Sequence, residues 1–164
     1  MRRITIAFLV VGLVSAVGCQ RSGEIIWRAQ ADDGLVVTAG VPQRNYVRGD
    51  TVDIDVKVSN TSIRDIPIPA DSGALVYATL WRRTTIGFEQ VKRYPQTAVM
   101  VAAPWKLASG KKYKCTLNLP VEPDWPTSEP LKLTVELNGR DDVVAGGYVQ
   151  IFATQADYDE ALKD

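Results

Sequence analysis

The sequence predicts an all-β protein built as a single antiparallel β-sandwich of about seven to nine short strands, with a short C-terminal helix. Two segments, 51–60 and 131–138, alternate apolar and polar residues without a break. Such alternation is typical of a strand with one face on a core and one in water. Turn sequences rich in Gly, Asp and Ser occur at 48–50, 71–73 and 108–110. Many short strands at this spacing favour a sandwich.

The two alternating segments also predict which side chains are buried. In the first, Val52, Ile54, Val56 and Val58 are expected to face the core, and the residues between them to face water. The second ends in Asn138-Gly139, residues that tolerate a positive φ in a turn. Other strands are predicted at 35–39, 74–83, 88–94, 97–101, 112–119 and 147–153.

The two ends of the chain differ from this body. Residues 20–34 are mostly polar, with one short strand at 24–29, and are predicted to be a tether. Residues 154–157 read Thr-Gln-Ala-Asp, a capping-box pattern that predicts a helix start. The predicted organisation is a signal peptide at 1–18, a lipidated cysteine and tether at 19–34, a sandwich at 35–154 and a short helix or tail at 155–164.

The first nineteen residues indicate export. Arg2 and Arg3 precede an uncharged apolar run over 4–14, and small residues lead to Cys19. This order is that of a secretory signal peptide, and the run is shorter than the roughly 20 residues of a membrane span. Val17-Gly18-Cys19 resembles the lipobox of bacterial lipoproteins, which implies a lipidated Cys19 at the new N-terminus. The chain is therefore expected on the cell membrane or outer membrane, with its domain in the periplasm or outside the cell.

Two other outcomes for the N-terminal segment stay open. Ala16-Val17-Gly18 also fits ordinary signal peptidase, which would leave Cys19 as a free thiol on a secreted protein. The segment could also be retained as an anchor. Where the source has two membranes, Gln20 is not the Asp that retains lipoproteins at the inner one, which favours the outer membrane.

A family resemblance covers most of residues 35–153. Tyr46-Val47-Arg48-Gly49-Asp50 leads into the alternating strand, Ile66-Pro67-Ile68 and Tyr77-Ala78-Thr79-Leu80 follow, and Leu107-Ala108-Ser109-Gly110 precedes a later strand. This pattern resembles the Ig-like domain of bacterial envelope proteins and is similar to the BsuPI-type proteinase-inhibitor domain. The resemblance implies an Ig-like sandwich and carries over no functional residue.

Composition narrows the function classes. Without residues 1–18 the chain keeps 17 of its 19 basic side chains against 19 acidic ones, a net charge near −2. Nucleic-acid binding needs a basic surface, so no nucleic-acid partner is expected. The chain has no histidine, which argues against a zinc or other transition-metal site. The acidic pairs at 32–33 and 141–142 lack calcium-loop spacing, so no metal or cofactor is predicted.

Catalytic candidates are few. Ser109 lies next to Lys111 and Lys112, and Asp53 and Asp55 share one strand face, so a Ser-Lys or carboxylate enzyme stays an alternative. Turn formation and solvation explain these residues more simply, and the chain is predicted not to be an enzyme. Cys115 lies on the apolar side of its strand and is expected to be a packed, unreactive thiol.

The loop at 120–130 is the nominated binding element. Four prolines surround Trp125 there, and proline restricts the loop to few shapes. A rigid loop that presents Trp125, with Asp124 beside it, could bind a partner. The alternative is that Trp125 folds back as a lid on the core.

These observations predict an envelope-anchored, non-catalytic binding or structural module for a protein, peptide or cell-wall partner. A BsuPI-type proteinase inhibitor is the alternative.

Overall fold

The computed structural model describes residues 24–69, 74–95 and 105–163. The predicted signal peptide, Cys19 and the strand predicted at 97–101 lie outside the described residues. Within them, the chain forms eleven strands and one helix. They are β1 (Ile25–Gln30), β2 (Leu35–Val41), β3 (Asn45–Val47), β4 (Thr51–Asn60), β5 (Ile66–Ile68), β6 (Val76–Thr84), β7 (Gly87–Pro95), β8 (Trp105–Leu107), β9 (Lys112–Pro120), β10 (Leu131–Leu137), β11 (Arg140–Phe152) and α1 (Gln155–Ala161).

Two sheets form the sandwich. One has four strands in the order β1-β2-β4-β9, and the other has five in the order β3-β11-β10-β6-β7. The short strands β5 and β8 pair separately. The run β11-β10-β6 corresponds to the three-stranded sheet of a constant-type Ig domain, and β7 is added beside β6 as in the variable type. The predicted Ig-like all-β fold is confirmed.

Alternation along the strands builds the core. In β4, Val52, Ile54, Val56 and Val58 are buried, and Asp53 and Asp55 between them are exposed, as predicted. Inward side chains of the five-stranded sheet complete the same cluster from the other side. The Asn138-Gly139 turn is also confirmed, since Gly139 has a φ of 75°.

The short strand predicted at 24–29 is confirmed as β1, but the prediction that it belongs to a tether reaching residue 34 is wrong. Ile25–Gln30 pairs antiparallel with β2 along its whole length, so the sandwich includes these residues. Trp27 is only 9% exposed and lies against Gly147 of β11. Pairing to β2 and burial of the Trp27 indole hold β1 in the sandwich. The sequence predicted this strand but not its partner strand or the burial of Trp27.

Smaller differences follow from pairing that the sequence does not display. The strand predicted at 147–153 begins at Arg140, because β11 pairs with β10 over nearly its full length. Three strands of three residues each, β3, β5 and β8, were not predicted. β3 pairs in parallel with β11, so the sandwich is not wholly antiparallel.

The C-terminal helix is confirmed over Gln155–Ala161, with Thr154 and Asp157 forming the predicted capping box.

The strands define two ends of the sandwich. One end, called here the hairpin end, contains the turn 48–50, the loop after β9 and the β6–β7 turn at 84–87. There the Gly49 N–H donates a hydrogen bond to Val121 O, which joins the first two. At the opposite end, called here the far end, lie the loop 61–65, the turn 108–111 and the Asn138-Gly139 turn. The chain enters β1 from the hairpin end, because Ile25 pairs with Val41 at the end of β2.

Candidate functional site on the five-stranded sheet

The loop at 120–130 packs Trp125 into the core. Its side chain is 1% exposed and belongs to the main buried cluster. The indole Nε1 donates a hydrogen bond of 2.9 Å to the Tyr94 hydroxyl, and the two ring centroids lie 5.9 Å apart. A side chain this buried offers a partner no contact area. The prediction of Trp125 as a binding anchor is therefore wrong, and the alternative of a lid on the core is the observed state.

Polar contacts hold this lid closed. The Tyr94 hydroxyl lies 3.4 Å from Glu122 Oε1, and Glu122 forms an ion pair with Lys92 of β7. Burial raises the pKa of Tyr94 to about 12, so its hydroxyl stays protonated at neutral pH. Asp124 is exposed on the outer side of the loop. Because Trp125 is buried, Trp125 and Asp124 do not form one exposed binding element.

The turn at 108–111 uses Ser109 for structure. The Ser109 hydroxyl donates to Ser62 O at 2.8 Å, and the Ser109 backbone N–H donates to Asp65 Oδ1 at 3.1 Å. These bonds join the turn to the loop after β4. They favour turn formation over nucleophilic catalysis as the role of this serine.

The acidic candidates have protein partners. Asp53 and Asp55 lie on the water face of β4, where they accept hydrogen bonds from Asn118 and Thr116 of β9. Arg140 donates to Asp142 through Nε at 2.7 Å and lies 2.9 Å from Asp33 Oδ2.

The guanidinium of Arg140 holds the pKa of Asp33 and of Asp142 below the usual range of such groups. Within residues 24–69, 74–95 and 105–163, no three acidic or cysteine side chains are grouped so that they could hold a metal ion.

Cys115 packs half-buried against the core from β9. Burial raises the pKa of its thiol to about 11, as expected for an unreactive cysteine. It borders a depression of about 830 Å³ on the outer face of the four-stranded sheet. Its charged lining side chains are two acidic and two basic ones, Glu24, Asp55, Lys57 and Lys114. The depression therefore does not favour a ligand of either charge.

A group of solvent-facing aromatic residues lies on the outer side of the five-stranded sheet. Tyr77, Trp81, Phe88 and Tyr148, called here the aromatic face, come from three strands. Trp81 pairs with Lys132, and Lys132 pairs with Tyr148, so these three side chains form one row across β6, β10 and β11. Tyr148 is 52% exposed and Phe88 is 45% exposed. Exposed apolar side chains that gather on one face and are rimmed by polar residues mark interaction surfaces.

Neighbouring contacts position the Trp81, Tyr77 and Phe88 rings. Trp81 Nε1 donates to Thr134 Oγ1 at 2.9 Å, which leans the indole across β10. The Arg93 guanidinium lies 4.1 Å from the centre of the Tyr77 ring, and Lys132 Nζ lies 4.9 Å from that of Phe88. Rings held this way lose little conformational freedom on binding, which favours affinity.

Glu136 positions Arg93 beside the aromatic face. It accepts a hydrogen bond from the Thr79 hydroxyl at 2.9 Å and lies 3.0 Å from Arg93 Nε. Arg93 is thereby held between Glu136 and the Tyr77 ring. The face combines aromatic rings with positioned cations and carries no cysteine, serine or histidine.

Sequence reasoning missed the aromatic face. In β6, Tyr77 and Trp81 alternate with the core residues Val76, Ala78 and Leu80, so their outward direction was readable. Phe88 and Tyr148 lie on other strands, and only the strand order and register bring them beside Trp81.

No family model and no curated protein matches this chain. Among solved structures, the chain is similar to the alkylpurine DNA glycosylase AlkC of Pseudomonas fluorescens bound to DNA, with 12% identity and a TM-score of 0.47 over 80% of this chain and 31% of that one. It is also similar to the sporulation control protein Spo0M of Bacillus subtilis, with 14% identity and a TM-score of 0.45 over 83% and 55%. A β-glucosidase of Listeria innocua matches with 15% identity and a TM-score of 0.46 over 73% and 16%.

The chain thus spans between 16% and 55% of the lengths of these three proteins. Likeness at this level assigns no activity to this chain.

The part of the chain that the structure describes contains no helix with the length and apolar character of a transmembrane span.

Proposed function

We propose that this protein is an envelope-anchored, non-catalytic module that binds a protein or peptide through its aromatic face. The observation that carries the binding part is the row Trp81, Lys132 and Tyr148 across three strands, flanked by Phe88 and by Arg93 on Tyr77. Tyr, Trp and Arg dominate the energetic centres of protein interfaces. Their rings give large contact areas and their polar ends tolerate water before binding.

Anchoring is supported by the N-terminal pattern. Arg2 and Arg3, the apolar run and Val17-Gly18-Cys19 together favour export and lipidation at Cys19. Several acyl chains make release from a membrane slow, because each buried methylene contributes about 0.8 kcal/mol. A proteinase inhibitor would be a special case of this proposal, with a proteinase as the partner.

Anchoring is tested by mass. The detergent-extracted protein is expected to carry a diacylglyceryl group on Cys19. The Cys19→Ser variant is expected to lack this group and either to keep its signal peptide or to leave the membrane fraction. An unmodified wild-type protein in the medium or periplasm would contradict anchoring and indicate ordinary secretion.

Binding is tested by photo-crosslinking in intact cells of the source organism. A photoreactive amino acid replaces Tyr148 on the aromatic face or, as the control, Thr116 on the exposed outer face of the four-stranded sheet. We expect a discrete adduct from position 148, weakened by Trp81→Ala, and none from position 116. Equal labelling from both positions would contradict a specific site. An adduct that disappears on digestion of the cell wall would show that the partner is a cell-wall polymer and not a protein.

A further inference from the structure

The geometry points to a second membrane contact, in which the tip of the β6–β7 hairpin touches the lipid surface beside the N-terminal anchor. This inference rests on the proposed lipidation of Cys19. It adds that the domain is held in one orientation, with its hairpin end toward the membrane, and that the contacting group is the apolar side chain of Ile86.

The hairpin projects beyond the sheet that supports it. Trp81 is the last residue of β6 that pairs with β10, opposite Lys132. The strand continues through Arg82, Arg83 and Thr84 before the turn, and three strand residues extend about 10 Å. Among the described residues, the tip therefore has no neighbouring strand on the β10 side.

The tip exposes an isoleucine, where a water-facing turn usually carries a polar residue. Ile86 is 97% exposed, and Phe88, two residues further on, is 45% exposed. The basic residues Arg82 and Arg83 stand just before the turn, and Lys132 lies over the Phe88 ring. An exposed isoleucine with arginine and lysine nearby matches the boundary between acyl chains and anionic headgroups.

Acidic charge offsets part of the basic charge at the hairpin. Glu89 is paired with Arg82 at 2.6 Å, and Glu129 adds one further negative charge near Arg82. The hairpin itself, over residues 82–89, therefore keeps one positive charge in excess. Apolar contact by Ile86 is the larger contribution, and attraction to anionic lipid supports it.

The position of the anchor places this same end at the membrane. Cys19 precedes Glu24 by five residues, which reach at most roughly 17 Å even when fully extended. The chain enters β1 from the hairpin end, about three strand residues, or roughly 10 Å, from the level of Thr51. A lipid on Cys19 thus holds the hairpin end close to the bilayer, and the far end points away.

The chain supplies a matched control at the far end. Ile63, in the loop after β4, is the same residue type and is 91% exposed. Both isoleucines are almost free of protein contact, so their replacement leaves the core intact.

The test uses the full lipidated chain in vesicles of phosphatidylethanolamine and phosphatidylglycerol, part of them brominated in the acyl chains. In a Cys115→Ser background, Ile86→Cys or Ile63→Cys carries an environment-sensitive fluorophore. We expect brominated lipid to quench the probe at position 86 by about twofold, because interfacial side chains lie roughly 5–10 Å into the headgroup boundary. The probe at position 63 is expected to be unaffected.

The results distinguish the hairpin contact from lipid anchoring at Cys19. Protein that floats with the vesicles but shows no quenching at position 86, or equal quenching at both positions, would overturn the hairpin contact and leave anchoring intact. Wild-type protein that does not float would overturn the anchoring and the inference together.

Discussion

At the scale of single residues, Trp125 shows how a loop rich in proline can serve the core. Its indole is buried, its N–H is bonded to the Tyr94 hydroxyl and its ring tilts against the Tyr94 ring. Four prolines around it restrict the loop in the unfolded chain as well, which lowers the entropy lost on folding. The same features that predicted a rigid binding loop therefore describe a rigid lid.

Replacement of Trp125 is expected to cost stability. Trp125→Ala should lower the free energy of unfolding by about 3–5 kcal/mol, the scale of a large-to-small change in a core. Asp124→Ala, one residue away and exposed, should change it by less than about 0.5 kcal/mol. Urea unfolding followed by circular dichroism measures both. Equally small effects of the two replacements would contradict the burial of Trp125 in the core.

The thiol of Cys115 is expected to react slowly in the folded protein. Its pKa is raised to about 11 by burial, so little thiolate forms at neutral pH. In the Cys19→Ser chain, alkylation by iodoacetamide at pH 8 should be far slower in buffer than in urea, and its rate in buffer should keep rising toward pH 11. Rapid native-state labelling at pH 8 would contradict this packing.

At the scale of elements, β1 is the strand that extends the domain beyond the predicted sandwich. It forms the edge of the four-stranded sheet and also touches β11 of the other sheet through Trp27. The contact depends on Gly147, since a Cβ there would lie 2.1 Å from Trp27 Nε1. β1 therefore joins both layers of the sandwich.

A side chain at position 147 is expected to displace Trp27. Gly147→Ala should lower the free energy of unfolding by about 1–3 kcal/mol through overpacking. Trp27→Leu in the same chain should recover part of that loss, because the smaller side chain leaves room for the new methyl group. A double-mutant cycle by thermal or urea unfolding measures the coupling, and additive effects would show that the two residues do not meet.

At the scale of the whole molecule, one ionic cluster joins the two sheets at the far end. Arg140 opens β11 in the five-stranded sheet, and Asp33 lies in the turn between β1 and β2 of the four-stranded sheet. Asp142 completes the cluster from β11 itself. Each carboxylate is stabilised in its charged form by the same guanidinium.

This cluster predicts a loss of stability in acid. The pKa values of Asp33 and Asp142 are lower in the folded protein than the ordinary value of 3.8, so their stabilising contribution is present above that pH and is lost as pH falls below it. Arg140→Gln should lower the melting temperature at pH 7 and make it fall less steeply in acid. Arg28→Gln, an exposed change on β1, is the control. The same acid dependence in both variants would contradict a role for the cluster.

The amino-acid sequence by itself determined the local structure. Alternation in 51–60 and 131–138, the Asn138-Gly139 turn and the capping box at Thr154 specified strands, a turn and a helix, because each depends on near neighbours along the chain. Tertiary structure alone decided which of the two roles Trp125 has, whether β1 belongs to the sandwich, and that Tyr77, Trp81, Phe88 and Tyr148 share one face. The physical reason is that burial and shared faces depend on strand order and register, and these bring together residues that are far apart in sequence.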